Sequence, residues 1–410
     1  MTLEAALACD AADPLAHFRD HFVQSEGLIY LDGNSLGQLP KATIAATTEL
    51  VTKAWGERLI RSWNEGWIDA PARVGAMIAP LIGAEADEVI VADSTSVNLY
   101  KLIVAALRRD PARKVVVSEA GNFPTDLHIA EGAVAAVAGA ELRVVERGAL
   151  AEALGADTAL LLLTHVHYKT AERFDMAGWT KAAQDAGALV CWDLSHSAGA
   201  VKVELNAAGA DLAVGCGYKY LNGGPGAPAF LYVAKRWQDA LHNPLSGWMG
   251  HAAPFEFADG YEAAAGMKRW LTGTPSVLGL GALESGLGLW EGIDLAQVTA
   301  KSAALWDIFH AAGTATGLEC VTPSDPAKRG SHISFRHRQA YEIVQALIAR
   351  GVIGDFRAGD ALQSADILRF GFTPLYTRFV DAWDAAWHLH EVLRSGIWRD
   401  ACYAERHAVT

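Results

Sequence analysis

The sequence predicts an α/β fold, with a large domain built on a mostly parallel seven-stranded sheet flanked by helices and a smaller C-terminal α+β domain. Between residues 89 and 233, seven short apolar runs are mostly separated by helical stretches, which is typical of a parallel sheet with helices on both faces. After residue 280, a long helical stretch precedes several short apolar segments. The length of 410 residues fits one large and one small domain.

The N-terminal part of the chain carries mainly helical signals. Asp13 and Pro14 predict a helix that runs to about Val23. The segment LIYLD (28–32) predicts a strand, and residues 41–64 and 71–82 predict helices. We expect the large domain to span residues 1–285, with segment 1–40 joining the small domain, and the small domain to span residues 286–410.

The strands of the large sheet are expected at seven short, mostly apolar segments, of which LVCWDL is a continuous apolar run. They are VIVAD (89–93), KVVVSE (114–119), ELRVVE (141–146), ALLLLT (159–164), LVCWDL (189–194), LAVGCG (212–217) and AFLYV (229–233). A helix is predicted from about 280 to 314. The small domain is expected to contain strands LECV (318–321), HISFRH (332–337), VIGDFR (352–357) and LRFGF (368–372), with helices at 340–350 and 380–394.

Composition excludes several classes of protein. The formal net charge of −13 argues against a nucleic-acid partner, which would favour a basic face. The five cysteines are far apart and form no CxxC pair, so neither a disulfide framework nor a zinc knuckle is expected. The apolar run TALLLL (158–163) is far too short for a membrane span, and the N-terminus lacks the basic region of a signal peptide. We therefore expect a cytoplasmic protein.

Lys219 is the most informative residue of the chain. It follows the predicted strand LAVGCG and precedes a turn rich in glycine and proline (221–228), which cannot be helical. A lysine between Tyr218 and Tyr220 at a strand end is poorly solvated, and burial disfavours its charged form. Such a lysine is suited to Schiff-base chemistry. The alternative is a surface lysine in a turn.

A second polar cluster follows the preceding predicted strand. Asp193 ends the run LVCWDL, and His196 comes three residues later. Open α/β sheets bind ligands at the carboxyl ends of their strands. A carboxylate there can keep a pyridinium nitrogen protonated, which makes the ring an electron sink. The alternative for Asp193 is a helix N-cap.

Three further positions carry functional signals with simpler alternatives. Ser94, Thr95 and Ser96 follow a strand and precede a helical pattern, which favours a phosphate site, although a serine N-cap is nearly as consistent. Phe123, in NFPTD, either lies on a ligand ring or closes the core. Arg369 ends a small-domain strand, where it can bind a carboxylate through two hydrogen bonds or lie on the surface.

These segments together resemble the kynureninase family of fold-type I pyridoxal phosphate enzymes. The resemblance is carried by DLSHSAG (193–199) and GYKYLNGGPG (217–226), and extends from about residue 28 to residue 380. The other matching segments are YLDGNSLGQLP (30–40), SVNLYKL (96–102), NFPTD (122–126), SGWMGH (246–251), GTP (273–275) and LRFGFTPLYT (368–377). Of these, SGWMGH and YLDGNSLG are specific to the family.

The resemblance implies pyridoxal 5'-phosphate as cofactor and hydrolysis of L-kynurenine, or its 3-hydroxy form, to anthranilate or its 3-hydroxy form and L-alanine. It implies Lys219, Tyr218 and Asp193 as catalytic residues. The implied cofactor contacts are Thr95, Ser96, Phe123, Thr125, Asp126, Asp193, His196, Tyr218, Lys219, Trp248 and Thr274. The implied substrate contacts are Arg369, Asn34 and Trp63. Loops with Trp248 and Thr274 are implied to reach the cofactor phosphate, at least one from a partner subunit, which gives a homodimer with shared active sites.

Other functions remain open at the level of sequence. A cysteine desulfurase or an aminotransferase would share Lys219 and Asp193. A serine hydrolase could use Ser35, in GNSLG, with Asp193 and His196, although Pro40 and the glycines oppose the helix that this motif requires. His165 and His167 could bind a metal with Asp193, but no further ligands are evident, and no metal is expected.

Overall fold

The computed structural model describes residues 2–359 and 365–407. Its helices are α1 (Leu3–Ala11), α2 (Lys41–Glu49), α3 (Ala70–Ile78), α4 (Thr95–Arg109), α5 (Pro124–Ala135), α6 (Leu150–Ala153), α7 (Met176–Asp185), α8 (Val277–Leu287), α9 (Leu295–Ala315), α10 (Ala340–Ile348) and α11 (Phe379–Ser395). Its strands are β1 (Ile29–Tyr30), β2 (Val89–Val91), β3 (Val115–Glu119), β4 (Glu141–Val145), β5 (Thr158–Thr164), β6 (Leu189–Asp193), β7 (Leu212–Gly215), β8 (Phe230–Val233), β9 (Glu319–Cys320), β10 (His332–Arg336), β11 (Val352–Ile353), β12 (Asp355–Arg357) and β13 (Ile367–Gly371).

The large domain contains the predicted seven-stranded sheet, in the order β2-β8-β7-β6-β5-β3-β4. Only β8 runs against its neighbours; β7, β6, β5, β3 and β4 pair in parallel. Strands β3, β5, β6 and β7 are buried along their whole length, because helices and loops cover both faces. The parallel strands thus end at one edge of the sheet, where the polar segments after β5, β6 and β7 meet.

The small domain is built on an antiparallel sheet in the order β12-β13-β10-β9. Ile333, Phe335, Leu368 and Phe370 alternate along β10 and β13 and face a core shared with α9, α10 and α11. The opposite face of the same strands carries polar residues and is turned to the large domain. This alternation is what a sheet with only one core face requires.

The N-terminal segment contributes to both cores. Ala6 and Leu31 are buried in the core of the small domain, whereas Leu15 and Phe22 are buried in a core of the large domain. Strand β1 pairs in parallel with β11, not with the large sheet. We propose that residues 1–40 belong structurally with the small domain and that the domains part between α8 and α9. None of the described helices is long and apolar enough to cross a membrane.

The helix predicted from Asp13 to Val23 is wrong. The chain forms only a 3-10 segment at Ala16–His21, and the helix lies earlier, as α1. The Asp13 carboxylate accepts the Leu15 N–H at 2.9 Å and pairs with Lys301 at 2.6 Å, so it closes a short turn instead of capping a helix.

Two long predicted helices are divided in the structure. Residues 41–64 are helical to Trp63, but α2 gives way to a π-helical stretch at Leu50–Arg58 and a 3-10 segment at Leu59–Trp63. The hydroxyls of Thr47, Thr48 and Thr52 donate to carbonyls four residues earlier, a contact that bends helices. The run from 280 to 314 becomes α8 and α9, with an Asp294 cap on α9.

Candidate active site

Lys219 lies in the loop after β7 and points toward the end of β6. Its side chain is buried, and Nζ lies 2.9 Å from Nε2 of His196. The rings of Tyr218 and Phe123 flank the ammonium group, with centroids 5.8 and 5.9 Å from Nζ. Backbone hydrogen bonds from Asn222 to the Lys219 carbonyl hold the loop in a tight turn. The structure therefore brings the predicted lysine, histidine and phenylalanine together.

Two buried carboxyl groups face each other beside this lysine. Asp193 is the last residue of β6, and Asp126 lies in the first turn of α5. Burial, followed by the charge of Asp193 and a hydrogen bond to it, raises the pKa of Asp126 well above its usual range. Thr164, at the end of β5, donates to Asp126 at 3.3 Å and to Asn122 at 2.5 Å. The pair can hold a proton between them, and a cation placed against them would be strongly stabilised.

His196 is held neutral between the two domains. Burial, followed by the charges of Lys219 and Arg369, lowers its pKa well below the usual value. A neutral imidazole has one donor and one acceptor nitrogen, so Nε2 can accept from the Lys219 ammonium. On its other side, the His196 ring lies 5.5 Å from the ring of His332 on β10.

The N-terminus of α4 lies at the same edge of the sheet. Ser94 caps the helix, and its hydroxyl accepts the Val97 N–H at 3.3 Å. Thr95 and Ser96 follow in the first turn and are half-buried. Free N–H groups and the positive end of the helix dipole make this turn suited to a phosphate. The serine cap and the phosphate site, which the sequence presented as alternatives, are compatible in this geometry.

The start of α5 provides an aromatic wall. Phe123 precedes α5 and is 37% exposed, so its ring is available to a ligand. It packs edge-to-face on Tyr168, with centroids 5.1 Å apart. Thr125 follows in the first turn and is half-buried.

Burial raises the pKa of the Tyr218 phenol, which keeps this group protonated at neutral pH.

Arg369 lies in a buried polar cluster on the crevice side of β13. It donates from Nε to Asp355 at 2.7 Å, from Nη1 to the Tyr168 carbonyl at 2.6 Å and from Nη2 to Ser35 at 3.0 Å. With its amide oxygen turned to the guanidinium, Asn34 accepts from Nε at 3.0 Å. The predicted carboxylate-binding arginine is thus buried, but Asp355 already occupies the Nε–Nη2 side of its guanidinium.

Ser35 belongs to this arginine cluster and not to a hydrolase triad. Its hydroxyl donates to Asp355 at 2.9 Å and accepts from Arg369 and, at 3.2 Å, from Arg357. His196 is engaged instead with Lys219. The carboxylate that accepts the Ser35 proton is paired with Arg369 and has a lowered pKa, so it is too weak a base to activate a serine nucleophile, and the hydrolase hypothesis fails.

The histidines after β5 are bound by the protein itself. His165 shares a 2.9 Å hydrogen bond with Ser197, and Nε2 of His167 bonds to the Gly121 carbonyl at 2.8 Å. Among the described residues, no group of three or more histidine, cysteine and acidic side chains is placed to hold a metal ion.

The remaining predicted residues lie in other parts of the chain's surface and core. Trp248 is 41% exposed and packs edge-to-face on Phe255, at 5.7 Å. Thr274 is exposed and lines a cavity of about 240 Å³ with Asp93 and the loop before α8. Trp63 packs edge-to-face on Trp67 and against the core of the large domain.

The sequence alone did not reveal several residues of this site. Asp32, Asp355 and Arg357 complete the cluster around Arg369, and His332 lies beside His196. Asp32 and Asp355 stand next to glycines at strand ends, which is a weak signal. Their roles depend on contacts between segments more than 300 residues apart, which no local pattern reveals.

Comparison with known proteins gives relatives along the entire chain. Curated proteins named kynureninase from Burkholderia mallei and Burkholderia pseudomallei are each 50% identical, and one from Pseudomonas fluorescens is 48% identical. In all three cases the match covers 100% of this chain and 100% of the relative. The family described as kynureninase C-terminal domain matches residues 298–389.

Solved structures share the fold at low identity. A cysteine desulfurase from Thermococcus onnurineus NA1 superimposes with a TM-score of 0.79 at 18% identity, covering 92% of this chain and 98% of that one. A C-DES mutant with glycine covalently linked to its PLP cofactor gives 0.76 at 18% identity, covering 92% and 98%. At this identity the likeness establishes the fold alone. The full-length relatives establish more: the chain belongs to the kynureninase family.

Proposed function

We infer that this protein hydrolyses L-kynurenine to anthranilate and L-alanine with pyridoxal phosphate bound at Lys219. The observation that carries this proposal is the position of Lys219. Its Nζ contacts His196 at 2.9 Å beside the carboxyl pair of Asp126 and Asp193, in a chain about half identical to proteins named kynureninase. The main alternative, a cysteine desulfurase, shares the fold at 18% identity.

The residues present fit pyridoxal phosphate. The buried carboxyls of Asp126 and Asp193 form a site for a cationic ring nitrogen, since burial and the charge of Asp193 raise the cost of ionising Asp126 unless a cation is bound. Phe123 offers an exposed ring face near Lys219, and the first turn of α4 offers donors for a phosphate. When bound, the cofactor supplies an electron sink for negative charge that develops on the substrate.

The side chains of the chain divide the remaining tasks. Lys219 would hold the cofactor covalently and, as a free amine, would move the proton at the substrate Cα. Asp193, with Asp126, keeps the ring nitrogen protonated. Thr95 and Ser96 hold the phosphate, while Phe123, Thr125 and His196 orient the ring. Tyr218, protonated at neutral pH, donates a proton during cleavage of the carbon–carbon bond.

The substrate is positioned from the small domain and the N-terminal segment. Arg369, supported by Asn34, binds the α-carboxylate, and Trp63 lies on the aryl side. Trp248 and Thr274 serve the cofactor phosphate, and at least one of them reaches the site from the partner subunit of a homodimer. This assignment agrees with the exposure of both residues, because a side chain that completes a neighbouring site is exposed in the single chain.

The cysteines oppose a desulfurase. Such an enzyme needs a nucleophilic cysteine in a mobile loop of the late chain. Cys320 lies in β9, where burial raises the pKa of its thiol, and Cys402 lies in the 3-10 segment Ala401–Ala404 near the C-terminus. Neither cysteine lies in a loop of the kind that a desulfurase requires, and burial disfavours the Cys320 thiolate.

The preference between kynurenine and 3-hydroxykynurenine tests how the proposed site binds the aryl ring of the substrate. The loop 271–275 offers Gly273 and the hydroxyls of Thr272 and Thr274, and no amide or carboxylate side chain for a ring hydroxyl. An apolar pocket must strip water from that hydroxyl, at a cost of roughly 1–3 kcal/mol. We expect kcat/KM for kynurenine to exceed that for 3-hydroxykynurenine by about tenfold or more. Equal values, or preference for the hydroxylated substrate, would contradict an apolar aryl pocket.

A further inference from the structure

His332 lies on the face of the small-domain sheet that is turned to the active site. In the register of β10 and β13, His332 pairs with Gly371 and Ser334 pairs with Arg369, so these four residues share one face. Ser334 donates to the Lys169 carbonyl, and Arg369 donates to the Tyr168 carbonyl at 2.6 Å. Both contacts reach the large domain. The His332 ring, on the same face, meets His196 with centroids 5.5 Å apart.

The His332 ring is fully buried, yet neither of its nitrogens has a hydrogen-bond partner in the described part of the chain. A buried polar group without a partner destabilises a fold, so such groups call for a functional explanation. Burial, followed by the charge of Arg369, lowers the pKa of His332 well below the usual value. The imidazole is therefore neutral and has one N–H to donate.

The hydrogen bonds of Arg369 show which donors a bound carboxylate would still require. A guanidinium has five N–H groups. Four are engaged, two by Asp355 and one each by Ser35 and the Tyr168 carbonyl. Among the described residues no partner takes the second Nη1 hydrogen, which remains for a ligand. A carboxylate has two oxygens, so one that binds Arg369 here requires a second donor.

We propose that His332 is a substrate-binding residue that donates an N–H to the α-carboxylate held by Arg369. The proposal rests on the function assigned above. A substrate whose amine lies beside Lys219 and whose carboxylate lies at Arg369 would place its Cα between these two residues. His332 faces that region, since its ring neighbours His196, which contacts Lys219, and its strand neighbours β13. His332 therefore recognises the α-carboxylate, which every α-amino acid carries, and not the aryl ring.

Each of the two reaction products corresponds to one end of the substrate, so the two ends can be tested separately. L-Alanine carries the α-carboxylate, whereas anthranilate occupies the aryl end. Alanine binding to the holoenzyme is followed by the visible absorbance of the cofactor, without turnover. In His332→Leu, which keeps an apolar side chain of moderate size, we expect the alanine dissociation constant to rise roughly 10- to 100-fold, as when a hydrogen bond to a charged group is lost. Inhibition by anthranilate should stay unchanged.

Two further variants make the result specific. His332→Gln retains an N–H donor and should recover most of the alanine affinity. His310→Leu, in α9, removes a histidine that stacks on Trp306 outside the site and should behave as wild type. The thermal midpoint of His332→Leu should not fall, because the described residues provide no hydrogen-bond partner for the lost imidazole nitrogens.

Two outcomes would overturn the proposal. Wild-type alanine affinity in His332→Leu would show that the imidazole does not contact the carboxylate. An equal loss of alanine and anthranilate binding would show that it only shapes the site. Failure of the underlying function is distinguishable, since the wild-type holoenzyme would then bind alanine without cleaving kynurenine.

Discussion

At the scale of single residues, the site is made of buried charges that control one another. The Arg369 charge and its hydrogen bonds lower the pKa of Asp355 to about 2, although burial opposes this shift. Burial, with the nearby charge of Asp355, raises the pKa of Asp32 to about 7. Two carboxyls of one cluster are thus held in opposite protonation states at mildly acidic pH. Each change of charge in the cluster therefore affects Arg369, for which we propose a role in substrate binding.

This difference predicts a pH effect on stability. The pKa of Asp32 is higher in the folded protein than the ordinary value of about 4, so its contribution is fully present below pH 4 and is lost as pH rises through 7. The substitution Asp32→Asn removes this pH-dependent loss of stability. We expect the variant to gain thermal stability relative to wild type between pH 5 and pH 8.

The measurement is the difference in melting temperature between variant and wild type across this range. Asp20→Asn, which changes an exposed aspartate in the Ala16–His21 segment, is the control. A constant difference between Asp32→Asn and wild type from pH 5 to 8 would show that Asp32 does not titrate there.

At the scale of elements, the loop after β1 supports the loop that carries Lys219. The Gly37 N–H donates to the Tyr218 carbonyl at 2.9 Å. A Cβ at Gly37 would overlap the Lys219 carbonyl and the Asn222 side chain. The glycines of GNSLG thus serve close backbone approach and not a nucleophile elbow.

Gly37→Ala should therefore displace the Lys219 loop. We expect kcat to fall by at least about tenfold, since displacements of about 1 Å at a reacting group cost that much or more, while the fold persists. Gly132→Ala is the matched control, because a Cβ there meets no atom within 4 Å and Gly132 lies in α5. Activity of Gly37→Ala equal to that of Gly132→Ala would show that the loop yields without affecting the lysine.

Sequence reasoning succeeded where structure is local. The seven strands of the large sheet and the strand-end positions of Lys219 and Asp193 follow from short, mostly apolar runs and their boundaries. It failed where side chains compete with helix formation, as at Asp13 and at the threonines of α2. It could not predict the Arg369 cluster or His332, because these depend on packing the N-terminal segment and small domain against the large sheet.

At the scale of the whole molecule, exposed aromatic side chains indicate a partner. Trp248, Phe255 and Phe257 pack edge-to-face in series and are 41%, 55% and 78% exposed. Neighbouring large aromatic rings are rarely left in water, and such clusters mark interaction sites. We propose that this segment lies at the interface of a homodimer and delivers Trp248 to the partner's site.

Subunit mixing tests that arrangement. Lys219→Ala and Trp248→Ala should each be inactive or weak alone. If Trp248 completes the partner's site, a mixed dimer regains one intact site, and an equal mixture should recover about a quarter of wild-type activity. Exchange of subunits is verified with two affinity tags. Verified exchange without recovery would place both residues in one subunit's site.

A product balance tests most directly whether the protein cleaves the carbon–carbon bond of kynurenine and whether this cleavage depends on Lys219. The holoenzyme is incubated with L-kynurenine, and anthranilate and L-alanine are quantified together, with Lys219→Ala and the exposed Lys202→Ala in parallel. We predict equal amounts of the two products from wild type and Lys202→Ala, and neither from Lys219→Ala. Kynurenine consumed without alanine, or sulfide released from cysteine in its place, would contradict the account.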